Sequence, residues 1–170
     1  LTYPNFVGTI QGFVDKYTWC DIGSSYLPSD LNAAFLYAQF ELAEDIKKKR
    51  LALWDSYFTE LQKLNSLGII DLPYVPKECL HNGHLFFIKV KDIHERESLI
   101  NYLKDSGIQA TFHYVPLHSS KGGKLWGRFF GEDRYTTQDS ERLLRLPLHY
   151  ELSVEDTLFI CSVIKKFYKI

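Results

Sequence analysis

Between Ser29 and Asn65 the apolar residues fall on one face of a helix for longer than a small domain is wide. Leu31, Ala34, Phe35, Ala38, Leu42 and Ile46 recur at the helical spacing, and Leu51, Trp54, Phe58, Leu61 and Leu64 continue the stripe. Ser29, a short hydroxyl after Pro28, is the expected N-cap, and Gly68 the expected stop. Unbroken, such a helix would run about 55 Å at about 1.5 Å per residue. A helix of that length bridges two domains or kinks, and Lys47-Lys48-Lys49-Arg50 is the polar stretch at which it would leave a core. The expected organisation is therefore an irregular, aromatic-rich stretch over residues 1–28, a long bridging helix over 29–66, and a small domain over 67–170.

Within that last region helical and strand patterns alternate. Ile69 to Val75 is a short apolar run punctuated by Pro73 and Pro76, which suits an edge strand or an extended linker. Leu85 to Val90 reads as the clearest strand. Asp92 and Glu95 form the signature of a capping box for a helix carrying Ile93, Leu99, Ile100 and Leu103, closed by Gly107. Ile108 to Val115 reads as the next strand, with Ala110, Phe112 and Tyr114 on one face, and a glycine-containing loop is expected from Ser119 to Arg134. A short helix from Thr136 to Arg145 is stopped by Pro147, Leu146 to Tyr150 is extended, and Ser153 with Asp156 caps a final amphipathic helix. The order implies an α/β (α+β) sandwich with helices on one side of a sheet.

Composition narrows the function classes. With 170 residues, 45% of them apolar and 24% charged, the chain holds enough apolar surface for a core and too much for a disordered state. A formal net charge of −1 leaves no electrostatic footprint for nucleic acid, and no run approaches the apolar length of a membrane span. Cys20, Cys79 and Cys161 are odd in number and widely spaced, as expected of reduced thiols in a cytosolic protein. The sequence contains no methionine and opens Leu1-Thr2-Tyr3-Pro4-Asn5 without a basic-then-apolar leader, so a processed or excised chain is expected.

Six histidines are the first candidates for chemistry. His81 and His84 precede one strand, His113 and His118 flank the end of another, and His94 and His149 stand apart. Neither close pair has the i, i+4 helical spacing that brings zinc ligands together, so no metal site is expected. Histidines at the ends of strands can line a ligand crevice, as in open α/β sheets, or simply bond nearby backbone; spacing leaves both readings open. Lys121-Gly122-Gly123-Lys124 has the wrong order for a phosphate loop, and no G-x-S-x-G elbow occurs. Glu41, Glu44 and Asp45 read as a solvated helix face with Lys48 and Lys49.

Three segments, taken in order, go further. Asp15-Lys16-Tyr17-Thr18-Trp19-Cys20-Asp21-Ile22-Gly23-Ser24-Ser25-Tyr26-Leu27-Pro28-Ser29-Asp30-Leu31-Asn32-Ala33-Ala34 resembles the segment that follows the cofactor lysine in the DegT/DnrJ/EryC1/StrS sugar-nucleotide aminotransferases. Gly107-Ile108 with Phe112-His113-Tyr114-Val115-Pro116-Leu117-His118 is similar to that family's small-domain strand and turn, and Leu146-Pro147-Leu148-His149 with Leu152-Ser153 to its closing motif. The resemblance implies the C-terminal small domain of a pyridoxal 5′-phosphate (PLP) enzyme of aminotransferase fold type I, with residues 1–28 a remnant of the large-domain side. It also implies a cytoplasmic bacterial homodimer of lipopolysaccharide sugar biosynthesis, moving an amino group from glutamate to C4 of a dTDP-4-keto-6-deoxyhexose.

That chemistry requires a lysine that forms a Schiff base with the cofactor. No lysine here occupies the family's position, which lies upstream of the resembling segment, so the chain is expected to be an excised fragment, inactive alone, with no catalytic residue of its own. By the resemblance Ser25 stands where the family's asparagine reaches the cofactor phosphate, and Leu27 replaces an arginine and cannot do its work on substrate phosphates. Ser25 and Tyr26 equally suit a plain turn before the helix. His113, Tyr114 and His118 match the substrate-facing motif and are expected to bind and position the sugar nucleotide; edge-strand packing is the competing role for Tyr114. A non-catalytic carbohydrate- or nucleotide-binding module is the alternative function.

Overall fold

The computed structural model describes residues 28–170. The chain divides into two units, residues 1–42 and residues 43–170. In the first lies helix α1, Asp30–Glu41, capped as expected by Ser29, whose Oγ accepts the Asn32 N–H at 3.3 Å. α1 buries none of its residues; Leu31, Phe35, Tyr37 and Phe40 are exposed. The apolar stripe that predicts one helix is carried by two. α1 ends at Glu41, Leu42 donates to Gln39 O at 3.2 Å in a tighter turn, and α2 begins at Ala43, so the break comes before the basic stretch rather than in it.

The second unit is built around a three-stranded antiparallel sheet. β1 is Phe86–Lys89, β2 is Thr111–Phe112, and β3 is Leu143–Leu146, in the order β1-β3-β2. β3 faces β1 in the register Phe86↔Leu146 and Ile88↔Leu144, and faces β2 in the register Thr111↔Arg145 and Phe112↔Leu144. Alternation then sorts the side chains. Phe86, Ile88, Leu144 and Leu146 are buried, while Phe87, Lys89, Leu143 and Arg145 sit half-buried on the other face. Asp71 adds a single antiparallel bridge to Lys89, so the Ile69 to Val75 run is extended chain at the outer edge of β1.

Helices α2 (Ala43–Ser66), α3 (Ile93–Asp105) and α6 (Val154–Phe167) close the core over the buried face of the sheet. α2 contributes Leu53, Tyr57, Leu61 and Leu64, α3 contributes Leu99 and Leu103, and α6 contributes Ile160, Cys161 and Ile164. Burial pushes the Cys161 thiol up to about 12, which keeps it protonated and unreactive. Hydroxyls taken into this core are paired: those of Ser56 and Thr157 meet at 2.7 Å, and that of Tyr57 donates to Pro147 O at 2.9 Å. Desolvation accordingly holds the Tyr57 hydroxyl well above its ordinary range, in its donor form.

Helix ends follow the expected chemistry closely. Ser153 and Asp156 make both halves of a capping box on α6. On α3 only half forms: Asp92 accepts the Glu95 N–H at 2.9 Å, but the Glu95 carboxylate reaches across to the Tyr168 hydroxyl at 2.6 Å and ties α6 to α3. Gly107, at φ +78°, turns the chain out of α3 so that its own N–H bonds Lys104 O and the Ile108 N–H bonds Leu103 O, a pairing that a side chain would strain.

Three expectations need correction. The strand from Ile108 to Val115 shrinks to two paired residues, because Tyr114 adopts φ +60° and cannot continue a ladder. The loop from Ser119 to Arg134 contains the short helix α4, Lys121–Trp126. The helix expected to reach Arg145 is α5, Thr136–Arg142, and the strand follows at once, three residues early, since Leu144 and Leu146 are drawn into the core.

Replacing Leu61, which is fully buried, with alanine is expected to cost about 2–5 kcal/mol in urea unfolding, whereas Leu158→Ala at an exposed position on α6 should stay within about 0.5 kcal/mol.

Candidate functional site

Beyond Phe112 the chain leaves the sheet. The left-handed turn at Tyr114 directs it away from β3, and an L residue with a Cβ holds such a conformation at a cost of about 1–3 kcal/mol. The His113 and Tyr114 rings meet edge to face with centroids 5.2 Å apart, and Tyr114 is 74% exposed. Two of the residues expected to face substrate therefore stand together at the open end of the shortest strand. The antiparallel sheet has no common C-terminal edge, so the crevice rule for parallel strands does not account for their position. The turn at Tyr114 does.

His118 is placed differently. It lies in a single 3₁₀ turn, Leu117–Ser119, begun by Pro116, whose carbonyl accepts the Ser119 N–H at 3.1 Å. Its Nε2 is 2.9 Å from Asp133 Oδ2 and 3.2 Å from Thr137 Oγ1, and its ring packs edge-on to Phe129 at 4.6 Å. Asp133 also accepts the Thr137 N–H at 3.2 Å and the Thr137 hydroxyl. These Thr137 bonds, and secondarily the nearby His118, hold the Asp133 carboxyl below the usual carboxylate range. His118 thus fastens the 3₁₀ turn to the start of α5. Around it the segment from Phe112 to Tyr135 presents exposed apolar side chains, Trp126 and Phe130 foremost, each over 90% accessible.

The remaining histidines divide between packing and surface. His81 lies against Trp54 with centroids 4.4 Å apart, and its Nδ1 accepts the Gly83 N–H at 3.3 Å. His94 is exposed on α3. His149 pairs at 3.3 Å with Glu151 beside an open cleft of about 520 Å³ at the start of α6, both side chains being mostly solvated. His84 borders a second cavity, of about 280 Å³, with Gln109, Thr111 and Arg145. The loop bearing His84 is clamped from α2: Arg50 Nε donates to Gly83 O at 3.0 Å and its Nη2 to His84 O. Gly83, at φ +62°, lets this happen, since a Cβ there would sit 3.0–3.1 Å from Arg50 backbone atoms. Sequence reasoning missed Arg145. Its signal was the period-2 run Leu143 to Leu146, in which one polar residue must face away from the core. No three potential metal ligands lie together among the described residues. Ser25 lies outside them.

The sequence profile of the DegT/DnrJ/EryC1/StrS aminotransferase family matches residues 6–165. The chain belongs to that family. It is 26% identical over 156 residues to GDP-perosamine synthase of Escherichia coli O157:H7, covering 91% of this chain and 41% of that protein. It is 31% identical over 110 residues to the 3-oxo-glucose-6-phosphate:glutamate aminotransferase of Bacillus subtilis strain 168, covering 64% of this chain and 24% of the relative. Its fold matches DesV of S. venezuelae, solved with a ketimine intermediate, with a TM-score of 0.79 and 23% identity over 94% of this chain and 42% of DesV. The chain thus spans about two fifths or less of the length of each of these relatives. The fold is that of a portion of these sugar aminotransferases.

Aminotransferases of this family are PLP-dependent, and a neighbour of this fold has been solved in its PLP form. A Schiff-base lysine has to be desolvated and neutral. The half-buried lysines described here are instead engaged with other side chains: Lys49 lies 4.5 Å from the centre of the Tyr150 ring, Lys89 pairs with Asp139 at 3.0 Å, and Lys165 with Glu60 at 2.6 Å. The other described lysines are exposed. The described lysines, engaged or exposed, therefore do not fit the cofactor-anchoring role.

Because Asp133 is held below its ordinary value, its bonds stabilise the protein above about pH 4 and lose that contribution as the pH falls further. Proteolytic protection of residues 127–137 should accordingly be lower in Asp133→Asn than in the parent at pH 6, and the difference should shrink as the pH is taken progressively below about 4.

Proposed function

We propose that this chain supplies the substrate-shaping small domain of a sugar-nucleotide aminotransferase. The proposed reaction moves an amino group from glutamate to C4 of a dTDP-4-keto-6-deoxyhexose, as in dTDP-4-amino-4,6-dideoxygalactose transaminase, within a cytoplasmic homodimer serving lipopolysaccharide synthesis. The observation that carries the reading is the His113-Tyr114 pair, projected from the end of β2 by a strained turn inside a chain that belongs to this family. In this reading the imidazole and phenol offer hydrogen bonds to sugar or diphosphate oxygens. His118, held by Asp133, sets the position of the adjoining turn. Ser25 donates its hydroxyl to the cofactor phosphate. PLP, when bound by the whole enzyme, supplies the electron sink; this chain contributes binding and orientation and holds no group that exchanges the key proton.

Two measurements test this. Mixed with PLP, the 170-residue chain should show no absorbance band above 400 nm, and borohydride should fix no cofactor on its lysines; a lysine adduct would overturn the assignment. In enzyme reconstituted with a cofactor-binding domain, His113→Ala and Tyr114→Phe should each lower kcat/KM for the nucleotide sugar about tenfold or more, equivalent to about 1.4 kcal/mol. Tight, sugar-specific calorimetric binding of dTDP sugars by the chain alone would favour the non-catalytic module instead.

A further inference from the structure

On the face of the sheet turned away from the core, Arg145 occupies the central strand between Phe87 of β1 and Thr111 of β2. Its Nε is buried and has no hydrogen-bond partner among the described residues. A buried guanidinium N–H left unmade is costly, and the Nε of Arg96 on α3 is buried without a partner in the same way. Arg142 donates to Asp71 and to Val90 O, each at 2.7 Å, and Arg96 donates to Ser140 O at 2.7 Å while lying over the Phe112 ring. Among the described residues no carboxylate pairs with Arg145.

The cavity it lines is rich in donors. Gln109, Thr111 and His84 share the wall of about 280 Å³ with Arg145, Pro147 and Leu148 close the apolar side, and no acidic residue among the described ones borders it. The wall is also held in place. Arg145 and Thr111 are fixed by strand register, and the His84 backbone is clamped by Arg50. The planar guanidinium fork, beside a hydroxyl and an amide, matches the two oxygens of a carboxylate or phosphate. A volume below that of a usual pocket for a drug-sized ligand, about 300–1,000 Å³, suits one acid group with a few attached atoms.

We propose that this cavity is a binding site for a small-molecule oxyanion, carboxylate or phosphate, with Arg145 as its principal ligand and Thr111 and Gln109 as supporting donors. The assignment stands on the sheet geometry and does not depend on the aminotransferase reading.

The test follows the Arg145 Nε–H resonance of the ¹⁵N-labelled 170-residue chain during titration with sodium phosphate, glutamate and dTDP, with affinities from calorimetry. At least one anion should shift that signal with saturation. Glutamate acting without phosphate would identify a carboxylate, and phosphate and dTDP acting without glutamate a phosphoryl group. Arg145→Gln should weaken binding at least tenfold, Arg145→Lys less, and the exposed Arg128→Gln not at all. Circular dichroism establishes that each variant folds, and Arg145→Lys, which keeps stem and charge, carries the test if the glutamine variant does not. The proposal is overturned if none of the three anions moves the Nε–H signal at millimolar concentration, or if the folded Arg145 variant binds as tightly as the parent.

Discussion

β3 is the strand on which the domain depends. It is the last strand in the sequence and the middle one in space, so β1 and β2 reach the sheet only through it. Its pairing with β1 joins residues more than 50 positions apart, with α3, β2, α4 and α5 on the intervening chain. Such a non-local contact closes only when its burial offsets the loop entropy. Leu144 and Leu146 provide that burial against Phe86, Ile88 and the helices, and Tyr57 of α2 seals the exit by bonding Pro147 O.

The candidate site inherits its geometry from this arrangement. β2 holds only two rungs on β3, so the chain is released early and swings out at Tyr114 with His113 beside it. Exposed aromatic side chains in the following segment, Trp126, Phe130 and Tyr135, then lie outside the core. On the opposite side of β3 from Leu144 and Leu146, alternation sends Arg145 outward among donors. One short strand thus organises the hydrophobic core, the exit of the turn at Tyr114 and the cavity that Arg145 lines.

Much of this was legible in the sequence wherever the signal was local. Ser29, Asp92 and Ser153 cap the helices they precede, because a hydroxyl or carboxylate reaching an N–H three residues on needs no distant help. His113, Tyr114 and His118 were picked out by a family-like motif, yet their arrangement was not legible. His118 finds Asp133 fifteen residues away, and Tyr114 takes a backbone conformation that tyrosine does not favour on its own. Arg145 was read as the end of a helix because Thr136 to Arg142 is helical and no turn residue marks the change to strand.

What the sequence determined by itself is α3 and α6 with the residues that cap them, the apolar stripe that α2 buries, and membership of an aminotransferase family. These depend on spacing within a few residues, where the backbone hydrogen bonds are local. Tertiary structure alone decided the strand order, the early end of α5, the break at Leu42 and which polar side chains face one another. A strand of four residues has too little intrinsic preference to declare itself. It becomes a strand because a partner on each side completes its hydrogen bonds and a core takes up its leucines, and neither partner lies near it in the chain.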